Sequence, residues 1–574
     1  MLPGLQLICN PGCVVGRISV FIGWAKMTKT FRILILVLAC VTAFPAFARA
    51  TPRLGVVIVL DQFCAEHLTR YAPLFGGGLH RLIDGGILFT DAHHDHAMTL
   101  TATGHATIAT GCYPNRHGIV GNNWVERATG QRVYCCTDTT VQIFRDPEAS
   151  GCSPRYLMRP ALGDWLKEAR PGAKAFAVSQ KDRSAIMLGG QNPDAAFWFD
   201  DVKGRFVTST YYIDSLPAWV AAYDCFPFRE MAIREGWRKS RPESAYLLAS
   251  EDDSPAENDG IHTTFPHLYD SVAAIASTPS EWMVGTPFSD LMLLDFARTL
   301  IVEENLGKDS IPDLLCISLS ATDYIGHSFG PFSQEVLDGL LRADDALSHF
   351  FEFLDSTAGA GQYTIVLSSD HGVMPLPEES VRSGNHAERI SRGDAKQHLE
   401  TAVRQIADAA GLAQSLIIGQ TNGLILDTKA AEVKEIRPPD LRAAVAEAVR
   451  KIDYVADAMT YEDLTLPDGD DGGYREMYRH SFHPDRTPDV VIRYKEHVLV
   501  LDSKFGTTHG TPYHYDTHVP VLFYGAGVGT ESRIADDRIR TIDIAPTMAE
   551  LLGIPLPEKV DGAVLRRAVA EAGR

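Results

Sequence analysis

The stretch LTATGHATIATGCYPNRHGIVGNNW, residues 100–124, decides the fold and the chemistry of this chain. It is dense in Thr, Gly and His, and a threonine at its start can present a hydroxyl at the N-terminus of a helix. The backbone N–H groups and the dipole of a helix N-terminus favour an anion. Upstream stands VVIVLD, residues 56–61, an apolar run that ends in a lone carboxylate and is typical of a buried parallel strand.

Further apolar runs share the character of residues 56–60, and they lie at residues 174–178, 314–319, 364–368 and 519–524. Each run is continuous rather than alternating, which is typical of parallel strands that helices cover on both faces. Helices are predicted at residues 160–169, with Pro160 in the first turn, and at 287–304 and 334–354. This alternation predicts an α/β fold with a mostly parallel central sheet, whose ligand lies beyond the carboxyl ends of the strands.

Residues 1–50 resemble a signal peptide rather than part of the fold. From Met27, the basic residues Lys29 and Arg32 precede an apolar run over 33–44 that is short for a membrane span, and small-x-small cleavage sites follow. We expect residues 1–26 to reflect an upstream mis-start, and the mature protein to be periplasmic or secreted, without a membrane span. An N-terminal anchor is the alternative, and Cys40 offers a weak lipoprotein pattern.

Residues 51–574 are predicted to form one catalytic domain with two insertions. The first, at about 194–280, is rich in aromatic residues and prolines and has weak periodicity, so we expect it to pack over the core near the active site. The second, at about 394–485, mixes amphipathic helices, such as 439–452, with an acidic glycine-rich loop at 468–473.

The charge and the cysteines limit the possible functions. The formal net charge is −20, from 53 basic and 73 acidic residues. This charge argues against nucleic-acid binding through a basic surface, but a local metal cluster can still attract small anionic substrates. In an oxidising compartment, any disulfide pairing is expected among Cys135, Cys136, Cys152 and Cys225.

Carboxylates and imidazoles recur where they suit a metal site. Asp323 and His327 stand four residues apart, which can bring both side chains to one side. LSSDHG places Asp370 and His371 on a turn after an apolar run, beside a permissive glycine. Mixed Asp and His ligands suit Zn²⁺. A hydroxyl nucleophile near such a cluster indicates phosphoryl or sulfuryl transfer.

These motifs, in this order, resemble the alkaline phosphatase superfamily. The similarity is greatest to the branch of the PafA-type alkaline phosphatases and the type I phosphodiesterases/nucleotide pyrophosphatases, and it runs from about residue 54 to residue 565. It implies an alkaline-phosphatase-like three-layer α/β/α fold with inserted cap segments. It also implies that Thr101 is the nucleophile and that Asn122 belongs to the same motif, with Thr103 as the rival nucleophile.

The resemblance implies two Zn²⁺ ions and no structural Mg²⁺. The ligands it implies are Asp61, Thr101, Asp370 and His371 for one ion, and Asp323, His327 and a late histidine for the other. The segment GTTHGTPYHYDTH offers three histidines as the late ligand, His509, His514 and His518. The family's HG step followed by a YD pair selects His509, and the other two are expected to lie in the surrounding loop.

Lys181-Asp182-Arg183 resembles the Lys-x-Arg pair of the PafA-type enzymes. By this resemblance Lys181 and Arg183, with Asn122, contact the non-bridging phosphate oxygens, and two cations suit a dianionic monoester better than a diester. The resemblance therefore implies a secreted zinc-dependent alkaline phosphatase that hydrolyses small phosphate monoesters through a phospho-threonine intermediate, and we expect a monomer. A phosphodiesterase or nucleotide pyrophosphatase on the same scaffold is the alternative.

Two other functions stay open from the sequence. Sulfatases form their formylglycine within a C-x-P-x-R pattern, and Cys112, Pro114 and Arg116 fit that pattern. The residues around Thr101, the nucleophile that the resemblance implies, do not fit it. A non-catalytic binding protein on a degenerate scaffold is disfavoured, because the threonine and all six metal positions carry competent residues.

Overall fold

The computed structural model describes residues 51–127, 129–272, 278–412, 416–465, 473–529 and 533–570. The predicted signal peptide and most of the predicted acidic loop lie outside the described residues. Among the helices that are described, none combines the length and the apolar character needed to cross a membrane.

The strands, numbered in chain order, are β1 (Leu54–Leu60), β2 (Ile87–His93), β3 (Asn123–Val125), β4 (Arg132–Tyr134), β5 (Ala175–Ser179), β6 (Ala195–Asp200), β7 (Arg205–Val207), β8 (Asp313–Leu319), β9 (Tyr363–Ser368), β10 (Glu388–Ile390), β11 (Ile417–Gln420), β12 (Gly423–Leu426), β13 (Val455–Thr460), β14 (Val490–Tyr494), β15 (Val498–Val500), β16 (His518–Gly525) and β17 (Ile534–Arg540). The helices are α1 (Ala65–Tyr71), α2 (Gly78–Gly85), α3 (Thr101–Thr110), α4 (Pro114–His117), α5 (Leu162–Ala169), α6 (Asp182–Gly189), α7 (Ala218–Ala222), α8 (Phe226–Glu235), α9 (Tyr269–Val272), α10 (Pro279–Val284), α11 (Phe288–Glu303), α12 (Ala321–Phe329), α13 (Gln334–Leu354), α14 (Pro377–Arg382), α15 (Arg392–Ala409), α16 (Thr428–Glu432), α17 (Pro438–Val449), α18 (Tyr461–Thr465), α19 (Tyr474–His480), α20 (His514–Thr517) and α21 (Ile544–Leu551).

One large sheet carries the fold, with the strand order β17-β2-β16-β9-β1-β8-β5-β6-β7. The central strands β9, β1, β8, β5 and β6 run parallel, which confirms the predicted α/β fold with a mostly parallel sheet. Strand β16 is antiparallel to both of its neighbours, β2 and β9, so the prediction of a parallel strand at 519–524 is wrong. A continuous apolar run reports burial on both faces of a sheet and carries no information on strand direction.

Helices cover both faces of this sheet, and β1 shows how. Val56 and Ile58 belong to the apolar core under α11 and α13, whereas Val57 and Val59 belong to the core under α3, α5, α6 and α21. Because successive side chains of a strand point to opposite faces, a strand between two cores is apolar at every position. This explains the continuous run in the sequence.

The predicted helices lie close to the observed ones. Helix α13 spans the predicted residues, and α11 lies within the predicted range. Helix α5 begins at Leu162 with Ala161 as its N-cap, so the placement of Pro160 in the first turn is wrong. The Pro160 carbonyl instead accepts a hydrogen bond of 3.1 Å from Trp165 Nε1.

The two predicted insertions contain different kinds of structure. The first part of 194–280 forms β6 and β7 of the large sheet, and the segment after them carries α7 to α10. The second region has its own four-stranded sheet, β11-β12-β14-β13, and its own apolar core between that sheet and helices α15 and α17. Its strand β14 lies beyond residue 485, so this unit is longer than the predicted insertion.

All seven cysteines of the described chain are free, so the expected pairing is not found. Cys135 Sγ and Cys136 Sγ lie 3.7 Å apart, far beyond the S–S bond length of about 2.05 Å. Burial raises the pKa of the Cys225 thiol to about 12, which keeps it unreactive near neutral pH.

Candidate active site

Adjacent strand ends bring the predicted carboxylates together. Strands β9, β1 and β8 lie side by side and parallel, and Asp370, Asp61 and Asp323 follow their carboxyl ends. Lys181 follows β5, the next strand in the sheet, at the N-cap of α6. All four side chains are buried. The site therefore lies at the carboxyl edge of the sheet, where ligands of parallel α/β folds bind.

Lys181 stands between two of the carboxylates. Its Nζ donates to Asp61 Oδ2 at 2.6 Å and to Asp323 Oδ2 at 2.5 Å. Burial alone would lower the pKa of Lys181, but the two carboxylates raise it, so the ammonium stays charged. Burial and the neighbouring carboxylates of Asp323 and Asp370 raise the pKa of Asp61 to about 8. One ammonium is therefore not enough positive charge for three buried carboxylates.

The predicted histidines turn one nitrogen each toward these carboxylates. His327 Nε2 lies 3.2 Å and His509 Nε2 lies 3.7 Å from Asp323 Oδ1. His371 Nε2 lies 3.2 Å from Asp370 Oδ2 and 3.6 Å from Asp61 Oδ1. The His371 and His509 rings stack with their centroids 3.5 Å apart, so the two predicted ligand sets meet at His371.

The other nitrogen of each ring is held by a backbone carbonyl. His327 Nδ1 bonds to the Thr507 carbonyl oxygen at 2.8 Å. In the same way, His371 Nδ1 bonds to the Gly372 carbonyl at 2.9 Å, and His509 Nδ1 bonds to the Thr99 carbonyl at 2.7 Å. A carbonyl accepts only from an N–H, so Nδ1 carries the proton and Nε2 keeps the lone pair. Such partners fix the tautomer and orientation of metal-ligating histidines.

Three ligand atoms at the centre of the site are buried without a hydrogen-bond partner. They are Asp61 Oδ1, Asp370 Oδ2 and His371 Nε2. Buried carboxylate oxygens without partners are costly, and a bound cation removes that cost. The carboxylate and imidazole donors form two close groups that could hold metal ions, Asp61 with His105 and Asp370, and Asp323 with His371 and His509. This donor chemistry fits Zn²⁺.

Helix α3 turns Thr101, rather than Thr103, toward the carboxylates. His105 lies one turn after Thr101 on the same face of the helix, and its Nδ1 is 3.1 Å from Asp370 Oδ2. Gly104 packs directly against the backbone of Asp370, and a Cβ at this position would lie only 2.0 Å from the Asp370 carbonyl oxygen. Thr103, two residues from Thr101, projects to the opposite side of the helix. Thr101 is the first residue of α3 and is almost fully buried.

Asn122 is fixed to the start of this helix. Its Oδ1 accepts a 2.8 Å hydrogen bond from the backbone N–H of Ala102, which leaves the side-chain NH₂ group as a donor for a ligand. Arg183 lies in the first turn of α6, two residues after Lys181, and its buried Nε has no hydrogen-bond partner. Each of the four predicted substrate-contacting residues therefore lies at the start of a helix or bonds to one; they are Thr101, Asn122, Lys181 and Arg183.

Two residues of the site escaped the sequence analysis. His105 bonds through Nδ1 to the Thr101 carbonyl and through Nε2 to Ser318 Oγ, each at 2.8 Å. The four-residue spacing between Thr101 and His105 was the available signal. Gln62 donates from Nε2 to Asp323 Oδ1 at 2.8 Å, and its φ of 69° is unusual for a residue other than glycine. Only the position next to Asp61 pointed to it.

The late histidines separate into two places. Asp516 Oδ2 accepts hydrogen bonds from the backbone N–H groups of Gly510 and Thr511 at 2.9 and 2.7 Å, and so holds the loop that carries His509. His514 and His518 form a separate group with His93. The carboxylate of the YD pair therefore supports the loop of His509.

Cys112 stands away from Thr101. It follows the end of α3, a helix that rises about 15 Å over its ten residues. Its Sγ contacts the Lys559 carbonyl at 3.6 Å, and burial together with Asp561 raises the pKa of the thiol to about 11. A formylglycine at this position would lie at the far end of the helix from the carboxylates.

A cleft opens beside the site toward the second region. Its volume is about 830 Å³. It is lined by Asn122 and His509 of the site and also by the basic residues Arg132, Arg392 and Arg493. This space can take the leaving group of an ester whose phosphate lies at Thr101.

Comparisons with known proteins agree with this geometry. The sequence pattern of the type I phosphodiesterase/nucleotide pyrophosphatase family matches residues 55–518. The chain is 32% identical over 534 residues to alkaline phosphatase PafA of Elizabethkingia meningoseptica, covering 90% of this chain and 94% of PafA. It is 31% identical over 531 residues to alkaline phosphatase PhoV of Synechococcus elongatus, covering 90% of this chain and 92% of PhoV.

The solved structures of PafA have the same fold. The wild-type crystal structure superposes with a TM-score of 0.83 at 32% identity, covering 91% of this chain and 99% of that chain. The structure of a PafA mutant superposes with a TM-score of 0.82 at 31% identity over the same shares of both chains. In that mutant a threonine is replaced by serine, and an asparagine, a lysine and an arginine are each replaced by alanine.

Proposed function

Because the chain belongs to the type I phosphodiesterase/nucleotide pyrophosphatase family, we propose that it is a zinc-dependent alkaline phosphatase that hydrolyses small phosphate monoesters with Thr101 as the nucleophile. The observation that carries this proposal is the arrangement at the strand ends. Three buried carboxylates lie with three oriented imidazoles, Lys181 bonds to two of these carboxylates, and a helix whose first residue is Thr101 packs beside them.

The substrate phosphate occupies the space between the carboxylate cluster and the start of α3. The Thr101 oxygen loses its proton to solvent and bonds to phosphorus, while the ester oxygen takes up a proton from solvent and departs as an alcohol. Water then cleaves the phospho-threonine to release phosphate and restore the hydroxyl. Asp61, Asp370 and His371 would hold one divalent ion, and Asp323, His327 and His509 a second. Two such ions supply the Lewis-acid charge that a hydroxyl nucleophile and a leaving alkoxide both need.

Asn122, Lys181 and Arg183 serve the equatorial oxygens of the phosphate in this proposal. The Asn122 amide is held by helix α3 with its donors free, and Arg183 offers a planar fork of N–H groups. The substitutions in the PafA mutant support these roles. Its threonine and asparagine are as far apart along the chain as Thr101 and Asn122, and its lysine and arginine as far apart as Lys181 and Arg183.

A phosphodiesterase or nucleotide pyrophosphatase is the second candidate, because the family pattern that matches the chain carries that description. A diester has less charge for Lys181 and Arg183 to neutralise and one more substituent to place. The leaving-group cleft offers room for such a substituent. The rates on an aryl phosphate monoester, the matching methyl aryl diester and the aryl sulfate therefore separate the functions, each measured with and without added Zn²⁺.

Thr101→Ala tests the nucleophile, and Thr103→Ala is the matched control on the opposite face of the same helix. We expect Thr101→Ala to lower kcat on the monoester by roughly a thousand-fold or more, and Thr103→Ala to change it only a few-fold. Wild-type kcat in metal-replete Thr101→Ala would refute the proposal. A diester rate above the monoester rate in the wild type would favour the second candidate.

We also propose that the mature enzyme begins near residue 50 and acts in the periplasm or outside the cell. The signal-peptide pattern from Met27 supports this location. N-terminal sequencing of the protein recovered from the periplasm and the medium tests it, and an intact Met27 in a cytoplasmic fraction would contradict it.

A further inference from the structure

His93, His514 and His518 form a second histidine group, outside the carboxylate site. His93 ends β2, His514 begins α20 and His518 begins β16, so three elements of the chain meet here. One ring nitrogen of each histidine lies within 4.8 Å of the others. The rings of His93 and His518 stack with centroids 4.7 Å apart, and His514 is inclined to both at 5.4 and 4.6 Å.

Two of these rings are held through Nε2. His93 Nε2 bonds to Asp91 Oδ1 at 2.9 Å, and His518 Nε2 bonds to the Thr90 carbonyl at 2.8 Å. Both partners accept a proton, which places the N–H on Nε2 and the lone pair on Nδ1. In His93 the Thr517 hydroxyl oxygen lies 3.3 Å from Nδ1, so an ion bound there replaces that long hydrogen bond. A carboxylate or carbonyl behind the imidazole is the usual arrangement for a histidine that binds a metal ion.

The surroundings of His93 and His518 favour the neutral form of these two rings. Burial, Arg538 and the neighbouring His518 lower the pKa of His93 to about 4. Burial lowers the pKa of His518 as well, and His514 adds to that effect. Arg538 is itself paired with Asp95 at 3.0 Å and lies 3.9 Å from Asp91, so carboxylates offset its charge. Neutral imidazoles are the form that binds a metal ion.

We propose that His93, His514 and His518 bind a third metal ion, of the transition-metal class and Zn²⁺ in the first place. Three imidazole donors suit Zn²⁺, Cu²⁺ or Ni²⁺ and do not suit Mg²⁺ or Ca²⁺. His514 is exposed, so the ion enters from solvent and keeps a coordination position for water. This ion is distinct from the two ions of the proposed active site.

The third ion would brace the loop that carries His509. Residues 514–518 bond to the turn after β9, because the Gly372 N–H donates to the Asp516 carbonyl at 2.8 Å. On the other side His94, next to His93, donates its N–H to the Thr517 carbonyl at 2.9 Å and bonds through Nε2 to the Ser369 carbonyl at 3.0 Å. An ion across the three histidines therefore ties two segments that both contact the Asp370–His371 turn.

The proposal is tested by calorimetric titration of Zn²⁺ into the tag-free enzyme. The enzyme is first saturated with Zn²⁺ and dialysed, so that only its tight sites are filled when the titration begins. We expect one further Zn²⁺ per chain in the wild type. His514→Ala and His518→Ala should weaken that binding at least tenfold, whereas His386→Ala, which removes an exposed histidine elsewhere, should leave it unchanged. Saturating Zn²⁺ should also raise Tm of the wild type more than that of either cluster variant.

Asp323→Asn separates this site from the proposed active site. It should weaken the tight binding and abolish activity but keep the further Zn²⁺ bound, which an anomalous-scattering peak at the zinc edge between the three rings would locate. The proposal is overturned if the wild type takes up no further ion, or if both cluster variants bind it with wild-type affinity. Neither result bears on the phosphatase reaction at Thr101.

Discussion

Lys181→Met should destabilise the metal-free protein and affect the metal-loaded protein much less. The substitution keeps the length of the side chain and removes the ammonium that bonds to Asp61 at 2.6 Å and to Asp323 at 2.5 Å. In the metal-free protein these buried carboxylates then lose the cation that contacts them directly. In the metal-loaded protein, divalent ions on the same carboxylates supply the missing charge.

The size of the effect follows from the burial of the pair. Removing one partner of a buried ion pair costs about 3–5 kcal/mol. An unfolding entropy of about 2.1 cal/mol/K per residue, over the roughly 520 residues from 50 to 571, gives about 1.1 kcal/mol/K. Tm of the metal-free protein should therefore fall by about 3–5 °C. In saturating Zn²⁺ the fall should be about 1 °C or less, since the charge is replaced.

Differential scanning calorimetry with EDTA and with excess Zn²⁺ measures both values. Lys167→Met is the matched control, because Lys167 pairs with Asp194 at 3.0 Å but both side chains are partly exposed, where a pair is worth about 0–1 kcal/mol. Equal losses of Tm with and without Zn²⁺ would show that Lys181 contributes packing rather than charge. A metal-free loss no larger than that of Lys167→Met would refute the charge assignment at the site.

Further predictions concern the metal-free state, helix α3 and the cleft. The pKa of Asp61 is raised to about 8 from 3.8, so the folded metal-free protein binds a proton that the unfolded chain releases. Relative to Asp61→Asn, the urea-unfolding free energy of the metal-free wild type should therefore fall as pH rises from about 4 to about 8, because this comparison cancels the opposite slope that buried histidines such as His94 contribute to both proteins. Gly104→Ala places a Cβ 2.0 Å from the Asp370 carbonyl oxygen, so helix α3 must shift. We expect kcat to fall at least tenfold, whereas the control Ala109→Gly, near the other end of the helix, should have a smaller effect on kcat. Arg493→Ser should lower kcat/KM several-fold for esters whose leaving group carries further negative charge, and leave neutral aryl phosphates unchanged, which steady-state rates on the two substrate classes will show.

Much of the fold could be predicted because burial leaves a direct mark on the sequence. The run VVIVL is apolar at every position since alternate residues of β1 face two different cores. Helix α13 begins at a serine cap, where Ser333 Oγ accepts from the Val336 N–H, and its limits follow the pattern. The direction of β16 leaves no such mark, because its antiparallel course depends on where the loop before it brings the chain.

The residues of the site likewise divide into those that the sequence predicts and those that it does not. Asp61 and the Asp370–His371 pair could be predicted because a strand end fixes both their position in the sequence and their place in space. Gln62 could not, since its role depends on a positive φ and on the approach of Gly326, where a Cβ would lie 1.9 Å from Gln62 Oε1. Such contacts join residues far apart in the chain and have no local pattern.

The choice between Thr101 and Thr103 shows what the structure adds to a motif. Both threonines lie in the first turn of α3 and both are buried, so neither composition nor exposure separates them. The separation comes from the helix period, because His105 shares the face of Thr101 and lies 3.1 Å from Asp370. A nucleophile on that face is directed at the carboxylates by the same contact that holds the helix against them, whereas Thr103 faces away. The position of the proposed nucleophile and the packing of α3 are therefore set by one interface.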